Sequence, residues 1–171
     1  MNFPKSLYQR DRQKLNDKKI KNHHYLYMRN KPGYSWKVED GIPDFNTIKV
    51  DQSFNWCLFS IPIWARFNDK KEYLENYAVT GIKTKTIRLT KEINNKFENF
   101  SWTAEHLPIE NNYSHCQLKK LNEKLTKDKI RELRLTLKHK SKIYFKPDQK
   151  CNLLKMMFHL LRMSIIKIMD Q

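Results

Sequence analysis

The C-terminal segment, residues 151–171, constrains the fold more than any other part of the sequence. Its polar residues recur every three or four positions, so a helix would place them on one narrow stripe: Asn152, Lys155, His159 and Arg162. Almost every other position up to Met169 is apolar, which gives the predicted helix a wide apolar face. Because such a face must be buried, either the rest of the chain or a partner has to cover it.

Three interpretations of this helix stay open at the level of the sequence. The first is the core helix of a small layered domain, because a terminal helix commonly closes such a core. The second is docking on a protein partner, since Met-rich faces adapt to different surfaces; its predicted contacts are Met156, Met157, Leu160, Leu161 and Ile165. An anionic membrane surface comes last, because a surface-seeking helix usually has a broader charged face.

A second helix is predicted over residues 127–140. Thr126 is a suitable N-cap, and Ile130, Leu133 and Leu137 form an apolar stripe at i, i+3 and i+7. Short strands are predicted on either side of it, at residues 114–118 and 143–145. This order indicates an α+β fold, in which a small mixed or antiparallel sheet packs with two main helices, at about 127–140 and 151–169.

Further strands are predicted in the first half of the chain. A turn at residues 30–33 lets residues 34–38 return as the hairpin partner of residues 24–30. The other predicted elements are a short strand at 47–50, a buried strand or short helix within 54–64, a strand at 77–89 and mixed helix or loop at 90–105. The predicted organisation is a basic N-terminal arm or helix (1–24), an α+β core (25–150) and the apolar C-terminal helix (151–171).

The positive charge is large and concentrated in two blocks. The 171 residues carry a formal net charge of +16, of which residues 1–24 contribute +5 and residues 119–150 contribute +8. This uneven distribution favours a polyanion-binding protein over one with a merely basic surface. We predict nucleic acid as the partner, with RNA or single-stranded nucleic acid preferred to duplex DNA. The predicted phosphate contacts are Arg10, Arg12, Lys18, Lys19, Lys21, Lys119, Lys120, Lys127, Arg131, Arg134, Lys138 and Lys140.

The stretch HHYLYMRNKPGYSWK, residues 23–37, alternates aromatic side chains with polar and basic ones. Such a pattern is typical of single-strand binding surfaces, where bases stack on aromatic rings, but also of half-buried strands. The strand interpretation is favoured, with Tyr25, Tyr27 and Met28 packed inward. Tyr34 and Trp36 are then the predicted exposed pair on which bases could stack.

No motif in the sequence names a reaction, so a binding subunit or accessory protein is predicted rather than an enzyme. His115 is the candidate for a general acid or base, which would make the protein a small metal-independent ribonuclease-like enzyme. Its neighbour Cys116 would point to the opposite face of a strand. Adjacent histidines such as His23 and His24 seldom chelate one metal, so neither a metal nor another cofactor is predicted.

The cysteine pattern bears on the compartment. Cys57, Cys116 and Cys151 are far apart and form no CxxC pair, so neither a zinc knuckle nor a dithiol redox site is indicated. Isolated thiols in odd number indicate a reducing compartment, and we predict a cytoplasmic protein. Neither a signal peptide nor a transmembrane helix is expected, because the sequence has no apolar segment of the kind that either requires.

Overall fold

The computed structural model describes residue 4 and residues 13–16, 19–49, 52–88, 102–120 and 127–170. The strands are β1 (Tyr25–Asn30), β2 (Trp36–Lys37), β3 (Ile42–Pro43), β4 (Ser53–Trp56), β5 (Ala78–Lys83), β6 (Trp102–His106), β7 (His115–Lys120) and β8 (Lys142–Phe145). The helices are α1 (Thr84–Arg88), α2 (Lys127–Lys140) and α3 (Leu153–Met169), and short 3-10 turns lie at Phe45–Thr47 and Pro62–Arg66.

Six of the strands form one antiparallel sheet in the order β6-β7-β4-β1-β5-β8, while β2 and β3 pair separately. The prediction of an α+β fold with an antiparallel sheet and two main helices is therefore confirmed. β1 lies inside the sheet, where Tyr27 is opposite Asn55 of β4 on one side and Gly81 of β5 on the other. Tyr27 and Met28 are buried and Tyr25 is half-buried, so this stretch is the predicted core strand.

The two main helices pack on opposite faces of the sheet. Side chains alternate between the faces of a strand, so Leu26 and Tyr27 point in opposite directions. Leu137 of α2 lines a small void with Leu26, which places α2 on that face. On the other face, the ring of Tyr27 lies 5.3 Å from that of Tyr144, which in turn lies 5.7 Å from the ring of His159 in α3.

The apolar stripe of α2 supports this arrangement. Leu133 and Leu137 are buried and Ile130 packs against the same core, as the spacing predicts. The helix therefore presents its basic side chains on the outside. In α3, only His159, Met163 and Ile166 are buried, so its docked face is much narrower than its apolar face.

Gly81 is required by the packing on the α3 side of the sheet. A Cβ atom at this position would lie 2.6 Å from Cε2 of Tyr144 and 2.9 Å from Cδ1 of Tyr27. Real Cβ contacts are essentially never so short. The two tyrosine rings can meet in edge-to-face contact because β5 has no side chain between them.

Two strand predictions in the first half of the chain are wrong. Residues 34–38 do not pair with β1; Trp36 instead pairs with Pro43 and Lys37 with Ile42 of β3. The backbone N–H of Trp36 donates to the carbonyl of Lys31, which closes a tight loop and turns the chain away from β1. Of the strand predicted at 47–50, the described residues 47–49 form none; the 3-10 turn Phe45–Thr47, which the side chain of Asp44 caps, ends there instead.

The structure also revises the predictions for residues 77–106. The strand predicted at 77–89 runs only from Ala78 to Lys83, and α1 begins at Thr84. Residues 102–106, predicted as mixed helix or loop, form strand β6, and its burial alternates along the strand. The predicted N-cap Thr126 and the predicted phosphate contacts Arg10, Arg12 and Lys18 lie outside the described residues.

Candidate nucleic-acid interface

The basic face of α2 borders a cleft that we call the hairpin cleft, because the β2–β3 pair forms its other wall. The cleft has a volume of about 200 Å³. Its charged lining residues are Lys37, Asp44, Arg131, Arg134 and Lys138. Four cations therefore face a single carboxylate, which makes the cleft attractive to a phosphate chain.

Within the hairpin cleft, the cations differ in their freedom to bind a ligand. Arg134 is half-buried, and its Nη2 donates to the carbonyl of Ile48 at 3.0 Å, so it fastens α2 to the segment after β3. Arg131 and Lys138 are exposed. Lys37 is also exposed and has only a long contact, 3.8 Å, to the carboxylate of Asp40. The last three side chains can therefore reach a ligand without leaving a buried partner.

A second concave surface, which we call the Tyr34 groove, has a volume of about 300 Å³. The residues that matter for its chemistry are Arg29, Lys31, Tyr34, Lys49 and Tyr77. Lys31 and Lys49 are exposed, and 55% of Tyr34 is exposed. An accessible ring beside two lysines combines base stacking with phosphate attraction.

The two concave surfaces lie on either side of one short segment of chain. Asp44 and Asn46 line the hairpin cleft, whereas Thr47 and Lys49 line the Tyr34 groove. The Phe45–Thr47 turn, with Phe45 buried in the core, holds this segment in place. The arrangement brings cations from α2, β2 and two loops to neighbouring parts of one surface.

Trp36 is placed differently from the prediction. Only 2% of its surface is exposed, so it packs inward and is not available for stacking. The exposed pair predicted for Tyr34 and Trp36 is therefore wrong for Trp36 and right for Tyr34. Trp36 instead anchors the β2–β3 pair that forms the wall of the hairpin cleft.

The remaining predicted phosphate contacts do not line either concave surface. Lys19 and Lys21 are exposed just before β1. Lys119 and Lys120 are exposed at the end of β7, and Nζ of Lys119 lies 3.2 Å from the carboxylate of Glu105. Lys127 and Lys140 are exposed at the two ends of α2. The structure thus brings together Arg131, Arg134 and Lys138.

The predicted contacts do not include Arg29, Lys31, Lys37 or Lys49. The first three belong to the aromatic and basic stretch 23–37, whose pattern is the signal for them, whereas nothing in the sequence points to Lys49. Arg29 is half-buried: its Nη1 donates to the carbonyl of Phe67 at 2.5 Å, and its guanidinium carbon lies 6.0 Å from the centre of the Tyr77 ring. Burial lowers the pKa of the Arg29 guanidinium, and nearby Asp69 and Tyr77 oppose this effect.

His115 lies in a smaller cavity of about 120 Å³ that shares Arg29 and Ser53 with the Tyr34 groove. Its Nδ1 lies 2.5 Å from the carbonyl oxygen of Leu107, and its Nε2 lies 3.2 Å from Oγ of Ser53. A carbonyl can only accept, so Nδ1 carries the proton of the neutral tautomer, and the Nε2 lone pair accepts from the serine hydroxyl. Cys116 is buried on the other face of β7, as predicted.

His23, His24 and Asp170 bring potential metal-ligating atoms within 4.8 Å of one another. However, Nδ1 of His24 accepts from the backbone N–H of Lys21 and from the indole N–H of Trp56, both at 2.9 Å. The neutral ring therefore keeps its proton on Nε2, which donates to Oδ2 of Asp170 at 2.5 Å.

A metal on Nε2 of His24 would displace the proton that binds Asp170. Metal-bound histidines usually donate from their second ring nitrogen, whereas here that nitrogen, Nδ1, already accepts from two donors. The cluster of His23, His24 and Asp170 therefore fits a hydrogen-bonded contact that fastens the start of β1 to the end of α3. That the protein binds no metal stays a prediction.

The predicted partner contacts on α3 fall into two sets. Met156 and Leu160 are half-buried and pack against the core. Met157, Leu161 and Ile165 are exposed. α3 thus docks on the domain with one face and exposes apolar side chains on the other.

No helix in the described ranges combines the length and the apolar character needed to cross a membrane. Comparison of the whole chain with known proteins gave no matching family model, no matching curated protein and no matching solved structure. Its function must therefore be argued from its own residues.

Proposed function

We propose that the protein is a nucleic-acid-binding accessory protein or subunit that binds RNA or single-stranded nucleic acid through its phosphate backbone. The observation that carries this proposal is the hairpin cleft, where Lys37 faces Arg131, Arg134 and Lys138 across a gap that contains one carboxylate, Asp44. Each cation that contacts a phosphate releases condensed counterions, so a cleft of this kind binds a polyanion without reading its sequence.

The Tyr34 groove supports a single strand over a duplex. Its exposed aromatic ring lies beside Lys31 and Lys49, which suits an unpaired base stacked on the ring and a backbone held by the lysines. The proposed path runs from the exposed cations of α2 over the Phe45–Thr47 turn to Tyr34.

The proposed compartment is the cytoplasm. Cys57 and Cys116 are buried cysteines outside any disulfide, and Cys151 is a partly exposed one. Burial raises the pKa of the Cys57 thiol to about 12, which keeps it protonated and unreactive. Free thiols of this kind suit a reducing compartment in which RNA is available as a partner.

The test is binding of labelled single-stranded RNA, single-stranded DNA and duplex DNA over a series of salt concentrations. Arg131→Glu should weaken binding at least about ten-fold near physiological salt and reduce the log–log salt slope by roughly one to two. Lys70→Glu is the matched control, because Lys70 is exposed, lines neither concave surface and changes the net charge equally. The proposal fails if the protein does not bind at low salt, or if the two variants weaken binding to the same extent.

A second candidate function is metal-independent cleavage of RNA by His115. The observation that favours it is the unprotonated Nε2 of the neutral His115 tautomer, which faces the Ser53 hydroxyl in a cavity that Arg29 also lines. The ring could take a proton from an RNA hydroxyl while the guanidinium stabilises charge on the phosphate. Loss of cleavage with retained binding in His115→Ala would support this function, and intact RNA after incubation with the wild-type protein would remove it.

A further inference from the structure

α3 leaves an apolar stripe in solvent that we call the outer stripe. Of the thirteen large hydrophobic residues that are exposed in the described part of the chain, eight lie on this helix. Among them are Leu154 at 77%, Ile168 at 70% and Phe158 at 63% exposed. With Met157, Leu161 and Ile165 they recur at helical spacing, so they form one continuous stripe along the helix. An exposed apolar surface of this extent indicates a binding surface.

The helix cannot bury this stripe by rolling over, because its other face is fixed to the domain. Asn152 caps its N-terminus, where its Oδ1 accepts from the N–H of Lys155 at 2.8 Å. Met163 and Ile166 are buried in the core, and Asp170 binds His24 just beyond the C-terminus. The outer stripe is therefore held outward.

The charges around the outer stripe decide what can cover it. Residues 153–169 contain no aspartate or glutamate. At 100° per residue, Lys155 and Arg162 lie along one border of the stripe, whereas Lys167 lies on the docked side of the helix. The cations of Lys155 and Arg162 lie over domain rings at 4.3 and 4.7 Å, which holds them at this border. The stripe is thus an apolar strip with cations along one side.

A second copy of the chain does not fit this pattern. Two outer stripes packed together would place the bordering cations of both copies at the rim of the contact without any carboxylate from either helix, and like charges there oppose association. The formal charge of +16 on each chain adds to the repulsion. An occupant has to supply apolar groups in the centre and negative charge at the border.

The shape of the surface favours a planar occupant over another helix. α3 is a single helix standing on the domain surface, and the cavities described above are lined by other parts of the chain. A convex helix of 17 residues, with apolar side chains outward and cations at the border, matches the boundary between head groups and acyl chains in an anionic bilayer.

We propose that α3 binds the protein peripherally to an anionic membrane surface, with the outer stripe inserted at the boundary between head groups and acyl chains. This inference goes beyond nucleic-acid binding and does not depend on it. It also reverses the order of interpretations drawn from the sequence. A surface helix usually needs a broad charged face to stay in contact with water, but here the domain occupies that face of α3.

The test is co-sedimentation of the full chain with vesicles of phosphatidylcholine alone and of phosphatidylcholine mixed with phosphatidylserine. The wild-type protein should sediment with the mixed vesicles and at least about ten-fold more weakly with the neutral ones. The double substitution Phe158→Ser with Leu161→Ser should abolish most of this binding, since both side chains are exposed and the fold does not need them. Leu135→Ser, an equally apolar change at an exposed position of α2, should have no effect.

A second measurement reports insertion directly. Phe158→Trp places an indole on the outer stripe, and its emission should shift to the blue and be quenched by brominated lipids when the mixed vesicles are added. Three outcomes would overturn the proposal: no sedimentation with mixed vesicles, equal sedimentation of the Phe158→Ser, Leu161→Ser variant, or a dimer in solution that this variant abolishes while no vesicle binds. Thermal unfolding of each variant verifies that the domain is intact.

Discussion

Nε2 of His24 lies 2.5 Å from Oδ2 of Asp170, which connects the residue before β1 to the residue after α3. The His24 ring is fully buried. Burial lowers the pKa of His24, and the carboxylate of Asp170 partly opposes this shift. The contact is therefore a hydrogen bond from a neutral imidazole to a carboxylate. It fastens the end of α3, a helix whose outer stripe is exposed and so adds no buried apolar surface to the fold.

Asp170→Ala should destabilise the fold by about 2 kcal/mol, because it leaves the buried N–H of His24 without an acceptor. The loss should appear as a lower urea midpoint and as faster hydrogen exchange in the last turn of α3. His23→Ala is the control, since its side chain is half exposed and its Nε2 lies 3.5 Å from Asp170. If both variants lose the same stability, the buried hydrogen bond is not what holds the helix end.

His159 predicts a dependence of stability on pH. Desolvation lowers its pKa to about 4, and Lys155, Arg162 and Lys142 add to the shift. Among the described residues, neither ring nitrogen has a hydrogen-bond partner. As pH falls below about 6.5, His159 becomes protonated in the unfolded chain but stays neutral in the folded one. The free energy of unfolding should therefore fall by about 2 kcal/mol between pH 6.5 and pH 4.

The variant that checks this assignment is His159→Leu, which removes the titrating ring from α3. Its free energy of unfolding, measured with urea at several pH values, should lose much of the slope between pH 6.5 and pH 4, with a remainder from His24, whose pKa burial also lowers. His139→Leu changes an exposed histidine on α2 and should keep the full slope. An unchanged slope in His159→Leu would assign the pH dependence to other groups.

The sequence predicts those elements whose own periodicity specifies them. The spacing of Leu133 and Leu137 places α2 correctly, and the apolar run after Asn152 places α3. The β2–β3 pair escapes prediction because a tight loop redirects the chain before Trp36 pairs with Pro43. Alternation suggested that Trp36 would share the exposure of Tyr34, and the loop breaks that alternation.

The candidate site is predictable only in part for a related reason. Arg131 and Lys138 follow from the basic face of α2, whereas Lys37 and Lys49 join them through the tertiary fold. The sequence shows that the apolar face of α3 is wide. How much of that face stays exposed depends on the width of the face that docks on the domain, and the sheet beneath the helix sets that width.

Arg66 is a second buried cation that sequence reasoning does not reveal, and it predicts a large effect on stability. Its guanidinium is fully buried and donates to the carbonyls of Tyr77, Lys146 and Gln149 at 2.7 to 2.9 Å. It thereby joins the Pro62–Arg66 turn to the loop before α3.

Arg66→Lys should cost about 3 kcal/mol or more, because an ammonium group cannot reproduce the planar fork that reaches these carbonyls. Urea unfolding measures the loss. Arg131→Lys, the same change at an exposed site, should cost less than about 0.5 kcal/mol. Similar values for the two variants would mean that the carbonyl contacts of Arg66 contribute little to the folded state.

Tyr34 separates stacking from charge in the proposed nucleic-acid interface. Tyr34→Ala should weaken binding of single-stranded RNA about ten-fold, since stacking of one base on an aromatic ring contributes roughly 1–3 kcal/mol. The salt slope should not change, because no cation is lost. Tyr34→Phe keeps the ring and should bind almost as well as the wild-type protein.

Fluorescence anisotropy over a salt series measures both the affinity and the salt slope, with Val38→Ala as the control at another exposed apolar position of the hairpin region. Equal affinities for Tyr34→Ala and Val38→Ala would exclude Tyr34 as a stacking residue and leave phosphate neutralisation as the sole mode of binding.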